Sequence, residues 1–328
     1  MQQVEISYPS RDGSSTVRAR LWAPDAARGG VGADAPSPVR GLVQIVHGMS
    51  EHIGRYEGFA AFLVSHGFAV CADDHVGHGR TAADAGELGH IPLDGGEDVL
   101  VEDVHELRLR AARELAARGL ASDGEVPYAI FGHSMGSFIT RVYLTRHAFG
   151  VHAAVICGTG QQAPALTGAG RLITRAIAAA RGERHRSRLV HAMGAGGFSR
   201  AVPGARGEAD WIATDPAVVR DYLDDPLCGQ VFTVGGYHTL STLAADAQSE
   251  RLARAIPHGL PMLFIAGDED PVGERGAGVR RAAEQYRRAG IERVEVKLYH
   301  GYRHEILNEP CRDRVQADVL AWLRDVGL

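Results

Sequence analysis

The stretch Tyr128-Ala129-Ile130-Phe131-Gly132-His133-Ser134-Met135-Gly136 decides the fold. A short apolar run ends in Gly-x-Ser-x-Gly, and an amphipathic run from Ser137 to Phe149 follows at once. The order predicts a strand, a sharp turn with one serine at its apex, and a helix. The glycines have a steric reason: a side chain two positions before or after a strained apex collides with neighbouring backbone. The turn lifts the Ser134 hydroxyl out of the sheet and sets the first amides of the new helix beneath it. Those amides are unpaired donors at a positive dipole end. With 41 glycines in 328 residues, a glycine-rich turn with a helix-capping serine explains the pentapeptide equally well, so its surroundings must decide.

Working outward, short apolar runs alternate with amphipathic ones. Val4–Tyr8 and Thr16–Trp22 read as a leading antiparallel pair joined at Asp12-Gly13. Ala26–Pro38, rich in Ala, Gly and Pro, reads as a mobile loop. Gly41–Val46 and Phe68–Ala72 read as buried strands. A helix carrying Tyr56, Phe59, Ala60 and Leu63 lies between them, and a long helix marked by Leu100, Val104, Leu107, Ala111 and Leu115 follows. Val151–Cys157 continues the strands. From Thr159 to Tyr237 the alternation breaks into short helices and loops, with Leu172, Ile173, Ala176, Ile177 and Ala180 forming one apolar face. Phe198, Trp211, Ile212, Tyr222, Leu227 and Phe232 are scattered beyond it. The alternation resumes with a helix over Leu240–Ile256, strand Met262–Ala266, a helix with Val279, Ala283 and Tyr286, strand Val294–Tyr299 and a last helix with Val315, Val319, Leu320 and Leu323. Strands apolar throughout, separated by helices, imply an α/β fold with a mostly parallel sheet covered on both faces. The expected division is a core over residues 1–158 and 238–328, with a helical insertion at 159–237 capping the mouth of the sheet.

Composition excludes several classes of function. Apolar content of 45% and charged content of 23% are those of a globular protein. A net charge of −5, without a basic stripe interleaved with aromatics, excludes a nucleic-acid partner. No apolar run approaches the ~18 residues of a membrane span. Met1–Glu5 shows neither the basic nor the apolar part of a leader, so a cytoplasmic protein is expected. Cys71, Cys157, Cys228 and Cys311 are widely spaced and read as buried free thiols. Arginine supplies nearly all the basic residues, Lys297 being the single lysine, which suggests GC-rich bacterial coding.

A serine hydroxyl is a weak nucleophile that needs a base, and the base needs an orienting acid. After Ser134 the chain supplies acids in Gly267-Asp268-Glu269-Asp270-Pro271 and histidines in His300-Gly301-Tyr302-Arg303-His304. Both segments follow strands and leave the sheet edge at which the serine turn emerges, where ligands bind in open parallel sheets. Asp268 competes with Asp270 as the acid, and His300 with His304 as the base. His47, His52, His75 and His78 show no common metal-ligand spacing, so no metal is expected and packing of the loops is their expected role. Arg181, Arg184, Arg186 and Arg188 read as a solvated face rather than an anionic-lipid contact.

Several of these segments together resemble the α/β-hydrolases of the monoacylglycerol lipase and lysophospholipase type, a group also filed with serine aminopeptidases. The resemblance spans about residues 40 to 326. It rests on His47-Gly48-Met49 with Glu51-His52 and Arg55-Tyr56, on Asp74-His75-Val76-Gly77-His78-Gly79, on Gly132–Gly136, on Gly267–Val272 and on His304-Glu305. It implies Ser134 as nucleophile, Asp270 as acid and His304 as base, with the backbone amides of Met49 and Met135 as oxyanion hole and His47 and Gly48 supporting that loop. It also implies a cofactor-free serine ester hydrolase acting on a small-molecule, lipid-like ester with an apolar acyl chain, a monoacylglycerol or lysophospholipid. Asp270-Pro271-Val272-Gly273 resembles bacterial members rather than the animal lipases. The alternatives are a serine aminopeptidase or amidase, with Glu208 or Asp210 holding a substrate amine, and a non-catalytic binding protein, which would lack a triad member. A minority of the apolar residues of the insertion is expected to line the site.

Overall fold

The computed structural model of the chain describes residues 1–25, 39–121 and 126–328; the loop expected at Ala26–Pro38 lies outside them. Eight strands form one sheet in the order β1-β2-β4-β3-β5-β6-β7-β8. β1 (Gln2–Pro9) and β2 (Thr16–Ala23) pair antiparallel, and β2 pairs antiparallel with β4 (Ala69–Asp74). From β4 onward every pairing is parallel: β3 (Leu42–Val46), β5 (Tyr128–His133), β6 (Ala153–Cys157), β7 (Met262–Gly267) and β8 (Val294–Tyr299). Strands β3 to β7 are buried along their whole length, because helices cover both faces.

One face carries α2 (Gly96–Ala117), α3 (Met135–His147), α7 (Val234–Ala247), α8 (Glu250–Ala253) and α9 (Ala277–Arg288). Leu100, Ile139, Leu243, Ala253 and Tyr286 join Ile130 and Phe264 in one apolar core there. The other face carries α1 (Glu57–Ser65) and α10 (Arg312–Asp325), whose Phe59, Leu63, Val319 and Leu323 pack with Ile45, Phe131 and Ile265. Fully burying one such side chain contributes about 1.5–3 kcal/mol, so the two layers fix the sheet edge on which the loops converge.

Between β6 and β7 no strand occurs among the described residues. The chain runs through α4 (Pro164–Arg181), α5 (Arg188–Met193), a 3-10 turn (Ala195–Ala201) and α6 (Pro216–Asp224) before α7. Three details differ from the sequence reading. α4 is one helix of 18 residues and packs against α7 through half-buried Ile173 and Ile177 and buried Thr174, leaving Leu172 74% exposed. The turn of the apolar face reflects a neighbour contributed from far along the chain. α7 begins at Val234, so the boundary expected at 237 falls inside a helix. Gly235 and Gly236 allow close approach in its first turn: a Cβ on Gly235 would lie 2.5 Å from the Ile91 carbonyl oxygen, and one on Gly236 2.9 Å from that of Gly89. Finally, α3 ends at His147 and Phe149 is 96% exposed, outside the amphipathic face assigned to it.

Candidate active site

Ser134 sits where β5 turns into α3, with φ 54° and ψ −120°, a conformation that a residue with a Cβ adopts only when its surroundings hold it there. The flanking glycines show what does so. A Cβ at Gly132 would lie 2.4 Å from the Gly136 carbonyl oxygen, and one at Gly136 would lie 2.0 Å from that of Val46. β3, β5 and α3 therefore meet at backbone contact, and the serine is forced outward at the crossing.

Two loops bring the acid and the imidazole. Asp270 follows β7 and His304 follows β8; His304 Nδ1–H donates to Asp270 Oδ2 at 2.8 Å, both side chains being buried. Asp270 Oδ1 accepts from the Val272 amide at 2.9 Å, which fixes the carboxylate plane. The loops interlock at Gly267, where a Cβ would sit 2.0 Å from the Tyr302 carbonyl oxygen, and the Glu269 amide donates to that same oxygen. The rivals Asp268 and His300 are brought together elsewhere: they pair with each other at 2.8 Å, and the His300 side chain is 98% exposed.

Ser134 and His304 border one cavity of about 1010 Å³. His304 Nε2 is buried without a hydrogen-bond partner, and the Ser134 hydroxyl donates no hydrogen bond among the described residues. A buried polar atom left unpaired in a folded protein calls for a functional account. Met49 and Met135 border the same cavity, and neither amide has a protein acceptor among the described residues. Met135 is the first residue of α3, where the helix leaves its amides unpaired.

The loop after β3 is held by a buried polar network whose roles were not legible in the sequence. Glu51 Oε1 accepts from the Gly48 amide at 2.6 Å and from Tyr56 Oη–H at 2.8 Å. The Tyr56 oxygen in turn accepts from His133 Nδ1–H at 2.9 Å. Arg55 donates to Glu51 Oε2 at 3.1 Å and, in bidentate fashion, to both oxygens of Glu305 at 2.6 Å. The histidine before the nucleophile thus joins the loop after β3 to the His304 backbone, and Arg55 joins the same loop to Glu305. Both His133 nitrogens face acceptors, Nδ1 the Tyr56 and Glu51 oxygens and Nε2 the His304 carbonyl oxygen at 3.4 Å, so the site favours the doubly protonated ring. Burial opposes that charge, but the Glu51 hydrogen bond and the charges of Glu51 and Glu305 outweigh it and raise the His133 pKa. Burial likewise opposes the Glu51 charge, and the His133 hydrogen bond with the His133 and Arg55 charges outweighs it, holding the carboxyl well below its usual range. With His133 protonated, two carboxylates, one guanidinium and one imidazolium leave the cluster neutral.

His47 has its own device. Nδ1–H donates to the Gly48 carbonyl at 2.7 Å and Nε2 accepts from the His75 amide at 3.1 Å, so the ring is neutral with both nitrogens used. Burial, then the neighbouring His75 and His78, push its pKa well down. Its ring stacks on that of His75 at 4.0 Å. Asp74 accepts from the amides of Ile53 and Arg80 at 2.9 and 2.8 Å, tying the Asp-His-x-Gly-His-Gly turn to the segment after Met49.

The segment between β6 and α7 faces the same cavity. The Trp211 ring lies 4.8 Å from that of His304. The Glu305 amide donates to the Ile212 carbonyl at 2.8 Å, and Glu309 accepts from the Thr214 amide at 2.7 Å. Phe198, Trp211, Ile212 and Tyr222 border the cavity, as does Ile173 of α4, whereas Leu227 and Phe232 do not. Of the four arginines assigned to a solvated face, Arg186 differs: it donates to the carbonyls of Val231, Gly86 and Leu88 and anchors the segment to the core loops. All four cysteines are free and buried, and no described helix is long and apolar enough to cross a membrane.

Known proteins resemble the chain in sequence and in fold. The chain is 28% identical to the monoacylglycerol lipase of Mycolicibacterium smegmatis over 311 residues, covering 92% of this chain and 91% of that protein. Its structure resembles that of a highly thermostable carboxyl esterase from Bacillus coagulans, with a TM-score of 0.86, 30% identity and 99% of both chains covered. It also resembles a lipase in an open form, with a TM-score of 0.84, 30% identity and 99% of both chains covered. Residues 37–311 match the family described as serine aminopeptidase, S33, and the chain, with its α/β-hydrolase fold, belongs to that family.

Proposed function

We propose that Ser134, His304 and Asp270 form a catalytic triad, that the Met49 and Met135 amides bind the oxyanion, and that residues 159–237 act as a cap over the site. The chain is a serine ester hydrolase; the finer reading is an ester with an apolar acyl chain, of monoacylglycerol or lysophospholipid type. The observation that carries it is the buried 2.8 Å contact between His304 and Asp270, with the opposite imidazole nitrogen unpaired beside the cavity that Ser134 borders. The Ser134 oxygen attacks the ester carbonyl while His304 Nε2 takes its proton and Asp270 stabilises the imidazolium. The two amides receive the negative oxygen. The imidazolium returns the proton to the departing alcohol, and a water activated by the same nitrogen releases the acid and regenerates the serine. Apolar walls from Ile173, Phe198, Trp211 and Ile212 suit an alkyl chain. Four reduced thiols suit a cytoplasmic setting.

Amine recognition has little support in the side chains. Asp210 accepts from the amides of Arg206 and Gly207 in its own turn, and the Glu208 side chain is 86% exposed. A series of p-nitrophenyl esters of increasing acyl length, set beside amino-acyl anilides, tests the reading. Ester turnover with slow anilide cleavage is expected; rapid anilide cleavage with inert esters overturns it.

A further inference from the structure

Away from the triad, His52, Asp225 and Cys228 bring an imidazole nitrogen, a carboxylate oxygen and a thiol sulfur within 4.8 Å of one another. They come from two separate pieces of chain. His52 caps the 3-10 turn Ile53–Tyr56, while Asp225 ends α6 and Cys228 lies in the connection to α7. We propose that these three residues bind a divalent transition metal of the zinc class, and that the bound ion clamps the 225–229 segment onto the loop after β3 and slows ester hydrolysis.

The donor set is the first argument. Nitrogen, oxygen and sulfur in one cluster match a borderline-soft cation and suit neither calcium nor magnesium. Tetrahedral bonds of about 2.0–2.3 Å place ligand atoms roughly 3.3–3.8 Å apart, so the widest separation, at most 4.8 Å, closes by about 1 Å through side-chain rotation while the 2.9 Å His52–Asp225 pair opens slightly. His52 and Asp225 are 16% and 30% exposed, which gives an ion a path in and leaves the fourth position to water. The Cys228 thiol is buried and makes no hydrogen bond among the described residues, so binding it breaks no existing contact.

The protons balance. Without metal, His52 Nδ1 accepts from the Gly54 amide at 3.2 Å and Nε2–H donates to Asp225 at 2.9 Å, so the ring proton sits on Nε2. Coordination through Nε2 moves that proton to Nδ1 and gives up the long Gly54 bond. The thiol releases its proton to solvent, and the thiolate supplies the electron pair.

The consequence for activity follows from what lies next door. Ser50 and Glu51, just before His52, border the cavity, and Glu51 holds the Gly48 amide. The same two segments already meet through the Gly229 amide to the Ser50 carbonyl at 3.0 Å and Ser50 Oγ–H to the Gln230 carbonyl at 2.7 Å. A metal across His52 and Cys228 fixes this seam and restricts the loop that carries Met49.

The activity readout rests on the esterase reading above, whereas a cobalt spectrum does not. Zinc is titrated into ester hydrolysis by the full chain and by Cys228→Ser, with and without EDTA, and cobalt absorption is recorded for both proteins. Zinc inhibition of the parent that EDTA reverses is expected, with at least a tenfold higher zinc requirement in Cys228→Ser. A thiolate-to-cobalt band in the near ultraviolet should be present in the parent and absent from the variant. Equal zinc sensitivity in both proteins without a Cys228-dependent band overturns the site. A Cys228-dependent band without inhibition overturns the clamp.

Discussion

The His133 ring lies 4.8 Å from the His304 ring and turns its Nε2 toward the His304 backbone carbonyl at 3.4 Å. An imidazole that its surroundings favour in the charged form thus packs against the imidazole assigned as base. Burial lowers the His133 pKa, and the Glu51 hydrogen bond with the charges of Glu51 and Glu305 outweighs burial and raises it. Loss of this proton at alkaline pH leaves the Glu51–Arg55–Glu305 cluster with a net negative charge and disfavours the oxyanion. The pH profile of kcat is therefore expected to fall on the alkaline side in the parent. His133→Gln should lower kcat by about tenfold and lack that alkaline fall, with little change in KM.

Glu51 holds the Gly48 amide, one residue before Met49. Removing an oxyanion donor outright costs about 2.7–4 kcal/mol of transition-state stabilisation; Glu51→Gln loosens one rather than deleting it. A fall of roughly tenfold to a hundredfold in kcat is expected, with KM nearly unchanged, measured by steady-state kinetics on a soluble ester. Arg55→Met should act on stability instead. It leaves the buried Glu305 carboxylate without its cation and removes one of the two cationic partners of Glu51, a loss of about 3–5 kcal/mol read by urea unfolding.

Asp268 and Asp270 lie two residues apart, yet only Asp270 meets His304. Asp270→Asn is expected to reduce kcat by roughly 10³–10⁴-fold, because the imidazole loses its orienting acceptor. Asp268→Asn should stay within about twofold of the parent. Equal losses in the two variants would contradict the assignment.

Acid should unfold the protein earlier than carboxylates alone require. His78 is buried and neutral, its pKa depressed to about 3 by burial and by His75. A depressed histidine contributes stability that is present above the unfolded pKa of about 6.5 and lost as pH falls from there toward 3. Unfolding free energy should therefore decline below about pH 6.5, and His78→Asn, which retains a donor toward the Val76 carbonyl, should flatten that decline.

Much of this fold was legible because its signals are local. The alternation of apolar strands with helices, and the packing need for Gly132 and Gly136, depend on residues near in sequence. The meeting of the acid loop with the histidine loop was within reach because both leave the same sheet edge; the choice of Asp270 and His304 over Asp268 and His300 came from the family resemblance. What escaped the sequence depends on distant partners. Arg55 and Glu305 are 250 residues apart, and no spacing announces a bidentate contact across that distance. Trp211 read as one scattered aromatic among several until the turn after β8 brought His304 to it. The helix expected from Leu240 begins at Val234, because a single chain segment does not reveal the loop backbone that Gly235 and Gly236 accommodate.

The most direct measurement is labelling of the folded protein with a fluorophosphonate, followed by mass spectrometry and by hydrolysis of a medium-chain p-nitrophenyl ester. One adduct on Ser134 in the parent is predicted, together with no adduct and at least a 10³-fold loss of hydrolysis in Ser134→Ala and loss of labelling in His304→Ala. Undiminished hydrolysis by folded Ser134→Ala, or labelling at a different residue, would contradict the account.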